Sequence, residues 1–302
     1  FIPRMSFPKY RMVLTDFKGH HVKALKRISE LAPQIDLVFE LRDSRAPISS
    51  RNVLFDRSLQ NKDKIVLYSK NDLSGIDKKL LDVWHKGEKY MYIDCRNQNA
   101  AKKVILEAIK FYEGMFPRPP LGLRCMITGM PNVGKSTLVN GLRTAGCGPA
   151  KRKVARTGGQ PGVTRATSEI IRIHSNPDIL LYDTPGVFLP QAPDEETMIV
   201  LSLIGSVSPS VIDQVVKADY LLYLLNRQDD TGKAYKQYLP HPTNNIDELL
   251  EAIAKQKMMY NKATKKYDTT GAAVYWLERW LQGKESKSIF DVTAIVALQA
   301  LK

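Results

Sequence analysis

The chain has 302 residues, and its 45 Lys and Arg against 31 Asp and Glu give a formal net charge of +14, an excess that points to a polyanionic partner. That length has room for one α/β domain and a smaller second one. No stretch approaches the ~20 apolar residues that cross a bilayer, and Cys95, Cys125 and Cys147 have neither zinc spacing nor a pairing framework; a soluble chain with reduced thiols is therefore expected.

Residues 1–15 contain Arg4, Lys9 and Arg11 without an acid, the composition of a basic targeting segment, although Pro3 and Pro8 oppose a clean amphipathic helix. Next comes Asp16-Phe17-Lys18-Gly19-His20-His21. A neutral imidazole here can orient water or accept a proton, and it can equally be a solvated or helix-capping group. Lys64-Ile65-Val66-Leu67-Tyr68 reads as a strand ending in Ser69-Lys70-Asn71-Asp72. Asp72 can accept hydrogen bonds from the N1–H and exocyclic amine of guanine, which adenine does not offer, while the Lys70 stem lies over the base. Ser69 stands where such loops usually carry Asn, which predicts a looser loop with the hydroxyl accepting a backbone hydrogen bond, and keeps adenine as a rival base. Tyr90-Met91-Tyr92-Ile93 is a further strand leading to Asp94-Cys95-Arg96, either the place where a backbone N–H meets the guanine oxygen or a plain loop.

Cys125-Met126-Ile127-Thr128 enters the run Gly129-Met130-Pro131-Asn132-Val133-Gly134-Lys135-Ser136-Thr137, and Leu138, Val139 and Leu142 leave it at helical spacing. Strand, Gly-x-x-x-x-Gly-Lys-Ser and helix together form a phosphate loop, with backbone N–H groups turned toward the phosphates, Lys135 reaching them and Ser136 holding magnesium. Gly159-Gln160-Pro161-Gly162-Val163-Thr164-Arg165 follows, and Thr164, placed after Pro-Gly, competes with Thr167 as a magnesium-binding hydroxyl. Ile179-Leu180-Leu181-Tyr182 is a buried strand ending in Asp183-Thr184-Pro185-Gly186, where Asp183 meets a metal-bound water and the Gly186 N–H meets the γ-phosphate. The next residue is Val187, which cannot hydrogen-bond a water through its side chain.

Further along, Ile246, Leu249, Leu250 and Ile253 define an amphipathic helix begun after Thr243-Asn244-Asn245. A second helix includes Val274, Leu277, Trp280 and Leu281, and Trp276 and Trp280 are expected to pack a small core rather than to stack on bases. Lysines cluster at 151 and 153 with Arg152 and Arg156, and again at 255, 257, 262, 265 and 266. No aromatic RNA-recognition box is present, so contact with nucleic acid should be to phosphate and shape.

The guanine-reading motif precedes the phosphate loop, the reverse of the usual order. The expected fold is therefore α/β: a circularly permuted P-loop GTPase domain over 16–195, a mostly parallel sheet flanked by helices, after a basic segment 1–15 and before a smaller helical C-terminal region, 196–302. The chain resembles the YlqF/RbgA family of circularly permuted GTPases, above all its fungal mitochondrial members. The resemblance rests on Asp16 to Ala24, Phe39-Glu40-Leu41-Arg42-Asp43-Ser44-Arg45-Ala46-Pro47-Ile48-Ser49-Ser50-Arg51-Asn52 and the nucleotide motifs. It departs at Ser69 and at Lys18, where bacterial members carry proline. The resemblance implies GTP and GDP as ligands, Mg2+ as cofactor and His20 as the catalytic histidine. It also makes Asn132 a candidate K+ ligand, against a local turn hydrogen bond. It further implies a ribosome-stimulated GTPase that assists maturation of the mitochondrial large ribosomal subunit, contacting rRNA, ribosomal proteins and other assembly factors. The expected location is the mitochondrial matrix, with peripheral inner-membrane association and no transmembrane segment. A GTP-gated RNA-binding placeholder with incidental hydrolysis is the rival.

Overall fold

Strands buried on both faces need apolar runs, which the chain supplies within Asp63–Ser69 (β2), Leu123–Gly129 (β4) and Asp178–Asp183 (β6), whereas the equally buried Leu37–Asp43 (β1) carries Glu40, Arg42 and Asp43 as ion-paired charges. In the computed structural model, which describes residues 1–85, 87–148, 170–262 and 265–295, these strands join Tyr90–Tyr92 (β3) and Ile170–Ser175 (β5) in a 6-stranded sheet of order β3-β2-β1-β4-β6-β5. All pairs are parallel except β5 with β6. The segment with Gly159 to Thr167, and with it Thr164 and the basic residues at 151–156, lies outside the described residues.

Register brings the motif-bearing strand ends together. Asp43 pairs with Ser69, Leu41 with Gly129 and Ile127 with Asp183, so the carboxyl ends of β2, β1, β4 and β6 lie side by side. The chain steps outward from β1 toward β3 on one side and from β4 toward β6 on the other. The seam between β1 and β4 is therefore the topological switch point, where open α/β sheets take their ligands.

Gly19–Leu31 (α1) and Val53–Ser58 (α2) share a core with β1 and Val187, while Lys78–His85 (α3) covers β2 through Leu81. Gln98–Gly114 (α4) and Lys135–Cys147 (α5) pack on each other, and α5 also lies against β5. Beyond the sheet, Glu195–Leu203 (α6), Gln214–Gln228 (α7), Ile246–Gln256 (α8) and Thr269–Leu281 (α9) share one hydrophobic core with the nucleotide-motif strands. Tyr260–Asn261 (β7) and Lys266–Tyr267 (β8) form a small antiparallel pair. Asn245 caps α8 as expected, accepting from the Asp247 N–H at 3.0 Å, and Trp276 and Trp280 are buried core residues. The apolar face of α9 is nevertheless Ala272, Ala273, Trp276 and Trp280, and Val274 and Leu281 are exposed.

The basic first segment is held by the C-terminal helices. Arg4 makes a bidentate pair with Asp219 on α7 at 2.6 and 3.0 Å, and the Phe7 ring meets Tyr220 edge-on, 4.9 Å between centroids. Among the described residues no helix is long and apolar enough to cross a membrane.

Candidate nucleotide site

Backbone geometry at the end of β4 admits little but glycine. Gly129 has φ +148, and a Cβ there would sit 2.6 Å from the Leu41 carbonyl oxygen. Gly134, at φ +105, is the N-cap of α5, and a Cβ there would lie 3.2 Å from Cys95 Sγ. The loop so shaped directs the first turn of α5, with Lys135, Ser136 and Thr137, toward the carboxyl edge of the sheet. Val133 takes part through its backbone, because its side chain is fully buried in the core.

The Lys135 Nζ donates to the carbonyls of Gly129, at 3.1 Å, and Met130, at 2.7 Å. Burial pushes its pKa down to about 8, opposed by the nearby Asp183 carboxylate. Gly186 closes over the same loop, since a Cβ there would be 2.7 Å from Pro131 Cα and 3.1 Å from Lys135 Nζ. The Val187 side chain turns into the core, and its carbonyl accepts from Asn52 Nδ2 at 2.8 Å.

Ser69 is tied differently from the sequence expectation. Its hydroxyl donates rather than accepts, at 2.6 Å to the Val133 carbonyl and 3.1 Å to Arg42 O. The guanine-type loop is thereby fastened to the phosphate loop instead of being loosened. Lys70 adopts a left-handed conformation, φ 55, and its Nζ pairs with Asp43 Oδ2 at 2.8 Å. Burial opposes ionisation of Asp43, but Arg45 and Lys70 outweigh it and hold the carboxyl below the usual range. Asp72 accepts from Arg96, which also bridges to Asp94 at 3.4 Å. Cys95 remains a thiol, because burial pushes its pKa up to about 12.

Asn132 reaches beyond its own loop. Its Nδ2 donates across the fold to Gly205 O at 2.7 Å, and Ser206 Oγ donates to Pro131 O at 2.7 Å. The turn after α6 therefore grips the phosphate loop. That turn also positions the N-terminal motif: the Ser208 N–H donates to Asp16 Oδ2 at 2.8 Å, and Lys18 pairs with Asp16 at 3.0 Å. His21 is buried, and its Nδ1 accepts from the N–H of Lys18, the N-cap of α1, at 3.0 Å, which closes a capping box. Burial first, and the neighbouring His20, lower its pKa to about 4; the Lys135 charge also reaches it. His20 is half-buried, its ring 4.1 Å from that of His21.

Of the residues singled out from sequence, Lys70, Asp72, Asp94, Cys95, Asn132, Gly134 and Thr137 line one cleft of about 510 Å³. Ser69 and Val133 brace its floor from behind, and Lys135, Ser136, Asp183 and Gly186 gather around the adjoining phosphate loop. Sequence reasoning missed the other half of the lining: Leu73, Arg96, Ile204, Gly205, Leu281 and Gln282. Nothing local marks residues 204–205 or 281–282, because long-range folding alone brings them here.

A family model described as 50S ribosome-binding GTPase matches residues 124–272. Mitochondrial GTPase 1 of Saccharomyces cerevisiae is 43% identical over 94% of this chain and 82% of its own length. Mitochondrial ribosome-associated GTPase 1 of Ictalurus punctatus is 34% identical, over 81% and 78% respectively. Ribosome biogenesis GTPase A of Priestia megaterium is 32% identical, over 82% and 85%.

Proposed function

This chain belongs to the family of mitochondrial GTPase 1 and ribosome biogenesis GTPase A and is a GTPase, and on that premise we propose that it couples GTP hydrolysis to late maturation of the mitochondrial large ribosomal subunit in the matrix. The observation that carries this reading is the convergence of Lys70 and Asp72, the 129–137 loop and Asp183 to Gly186 on adjoining strand ends of a chain with net charge +14. We read the placement of the guanine motif before the phosphate loop as a circular permutation.

The residues fit a magnesium nucleotide. The glycine-lined loop leaves room where a Cβ would collide, and a carboxylate and an ammonium converge beside it. Ser136 and Asp183, with Thr164, would hold Mg2+; Lys135 and the Gly186 N–H would meet the phosphates; Asp72, the Lys70 stem and backbone N–H groups around Asp94 and Cys95 would read the base. The metal supplies charge neutralisation on the transferring phosphoryl group. Since the Val187 side chain is in the core, it orients no water, and His20 at the start of α1 is the proposed orienting group. Asn132 is the proposed K+ ligand. Equal hydrolysis in matched potassium and sodium buffers would exclude that role.

The deciding experiment is GTP turnover at matched salt with and without immature mitochondrial large-subunit particles. Strong stimulation is expected. Binding without stimulation would overturn the coupling and favour the placeholder reading, to which the buried Val187 lends weight by predicting slow intrinsic turnover.

A further inference from the structure

Four observations place the end of the C-terminal helix in the base pocket. Leu281 and Gln282, the last residue of α9 and its C-cap, line the same cleft as Lys70 and Asp72. Leu281 is 36% exposed, whereas the core-facing residues of α9 are buried, so its apolar side chain borders the cleft instead of filling the domain core. Its carbonyl accepts from Arg45 Nη1 at 3.1 Å, and Arg45, fully buried, pairs with Asp43, which also holds the Lys70 ammonium at 2.8 Å. A single buried ion pair therefore fixes both the guanine-motif lysine and the end of α9.

The strap beyond α9 is fastened to the same loops. The Ser288 N–H donates to Leu73 O at 3.0 Å and the Phe290 N–H to Arg45 O at 2.7 Å. Gly283, at φ +70, lies so close to Leu73 that a Cβ would come within 2.4 Å of its side chain. These contacts make residues 281–290 a built wall beside Asp72.

We propose that Leu281 is a nucleoside-contact residue, giving the C-terminal region an apolar wall of the base pocket. A purine presents two apolar faces and one hydrogen-bonding edge. Asp72 meets the edge, the Lys70 stem can cover one face, and Leu281 supplies apolar cover for the other. Movement of α9 on docking then changes nucleotide affinity without disturbing the phosphate loop. This inference rests on the reading of the cleft as a guanine site.

The test is titration of the full chain with GDP, and separately with pyrophosphate, which lacks the base. Leu281→Ser should weaken GDP roughly five- to tenfold and leave pyrophosphate affinity unchanged, and Leu281→Met should restore GDP binding. Asp72→Asn should move preference from GDP toward xanthosine diphosphate, because the amide donates to the xanthine oxygen that replaces the guanine amine. A normal GDP affinity in Leu281→Ser, with the Asp72→Asn switch observed, overturns the wall and leaves the guanine reading standing. Failure of the switch overturns that reading and the wall with it. Should Leu281→Ser not fold, hydrogen exchange of the unmodified chain decides: GDP should slow exchange at residues 281–283, and no change there overturns the proposal.

Discussion

Ser69 holds the loop that carries Lys70 and Asp72 against the 129–137 loop through one hydroxyl shared between Val133 O and Arg42 O. Ser69→Ala should cost about 1–2 kcal/mol in urea unfolding, since buried carbonyls lose their donor, and should weaken GDP binding as the two loops separate. On the proposed site, Lys135 should make binding pH-dependent. Its pKa in the folded chain is about 8, phosphate prefers the ammonium form, and GDP affinity should therefore fall as pH rises through 8, measurable by titration calorimetry. The two adjacent histidines part company by role. His20→Ala should preserve GDP affinity while lowering particle-stimulated turnover. His21 is neutral in the folded chain down to about pH 4 against 6.5 in the unfolded one. Its contribution to stability is thus present above pH 6.5 and is lost as pH falls toward 4. His21→Asn, which keeps an acceptor for the Lys18 N–H, should flatten that loss in pH-dependent thermal melts.

At the scale of elements, α5 offers a contrast between two glycines. A Cβ on Gly146 would lie 1.5 Å from the Ile173 carbonyl of β5, whereas one on Gly141 would meet Cys95 O at 3.4 Å and Ala101 at 3.7 Å, ordinary contacts. Gly146→Ala should therefore destabilise by about 3 kcal/mol, and Gly141→Ala should be neutral or gain up to about 1 kcal/mol from helix propensity; denaturant melts of the pair check both. The strands that lead to Asp72 and Lys135, and the one that ends at Asp183, were legible in sequence because each joins an apolar run to a motif of fixed spacing, and α8 was legible from its periodicity and cap. The long buried helix α7 was not read, since its apolar residues run around most of its circumference and leave no clean stripe. The motif 39–52 could be recognised but not understood. Its Asp43, Arg45, Ser49 and Asn52 turn out to be fasteners to Lys70, Leu281, Asp291 and Val187, contacts that exist only after distant segments fold together.

Across the whole molecule, the first and last parts of the chain hold each other. Arg4 and Asp219 are 21% and 8% exposed at their side chains, and a double-mutant cycle on the pair should return about 1 kcal/mol of coupling energy. The order of strands has a further consequence for the newborn chain. β1 needs β2 on one flank and β4 on the other, yet residues 123–129 emerge long after 37–69. A chain appearing from its N-terminus first holds a three-stranded raft whose open margin, Leu37–Asp43, has Leu37, Phe39 and Leu41 on one face and Val38 with the Glu40–Arg42 ion pair on the other, and offers an unpaired strand edge. That margin stays unpaired on its β4 side until β4 docks, and only then can Ser69 reach Val133. The cleft, lined from both sides of that seam by Lys70 and Asp72 and by Asn132 and Thr137, therefore cannot exist before the raft is sealed.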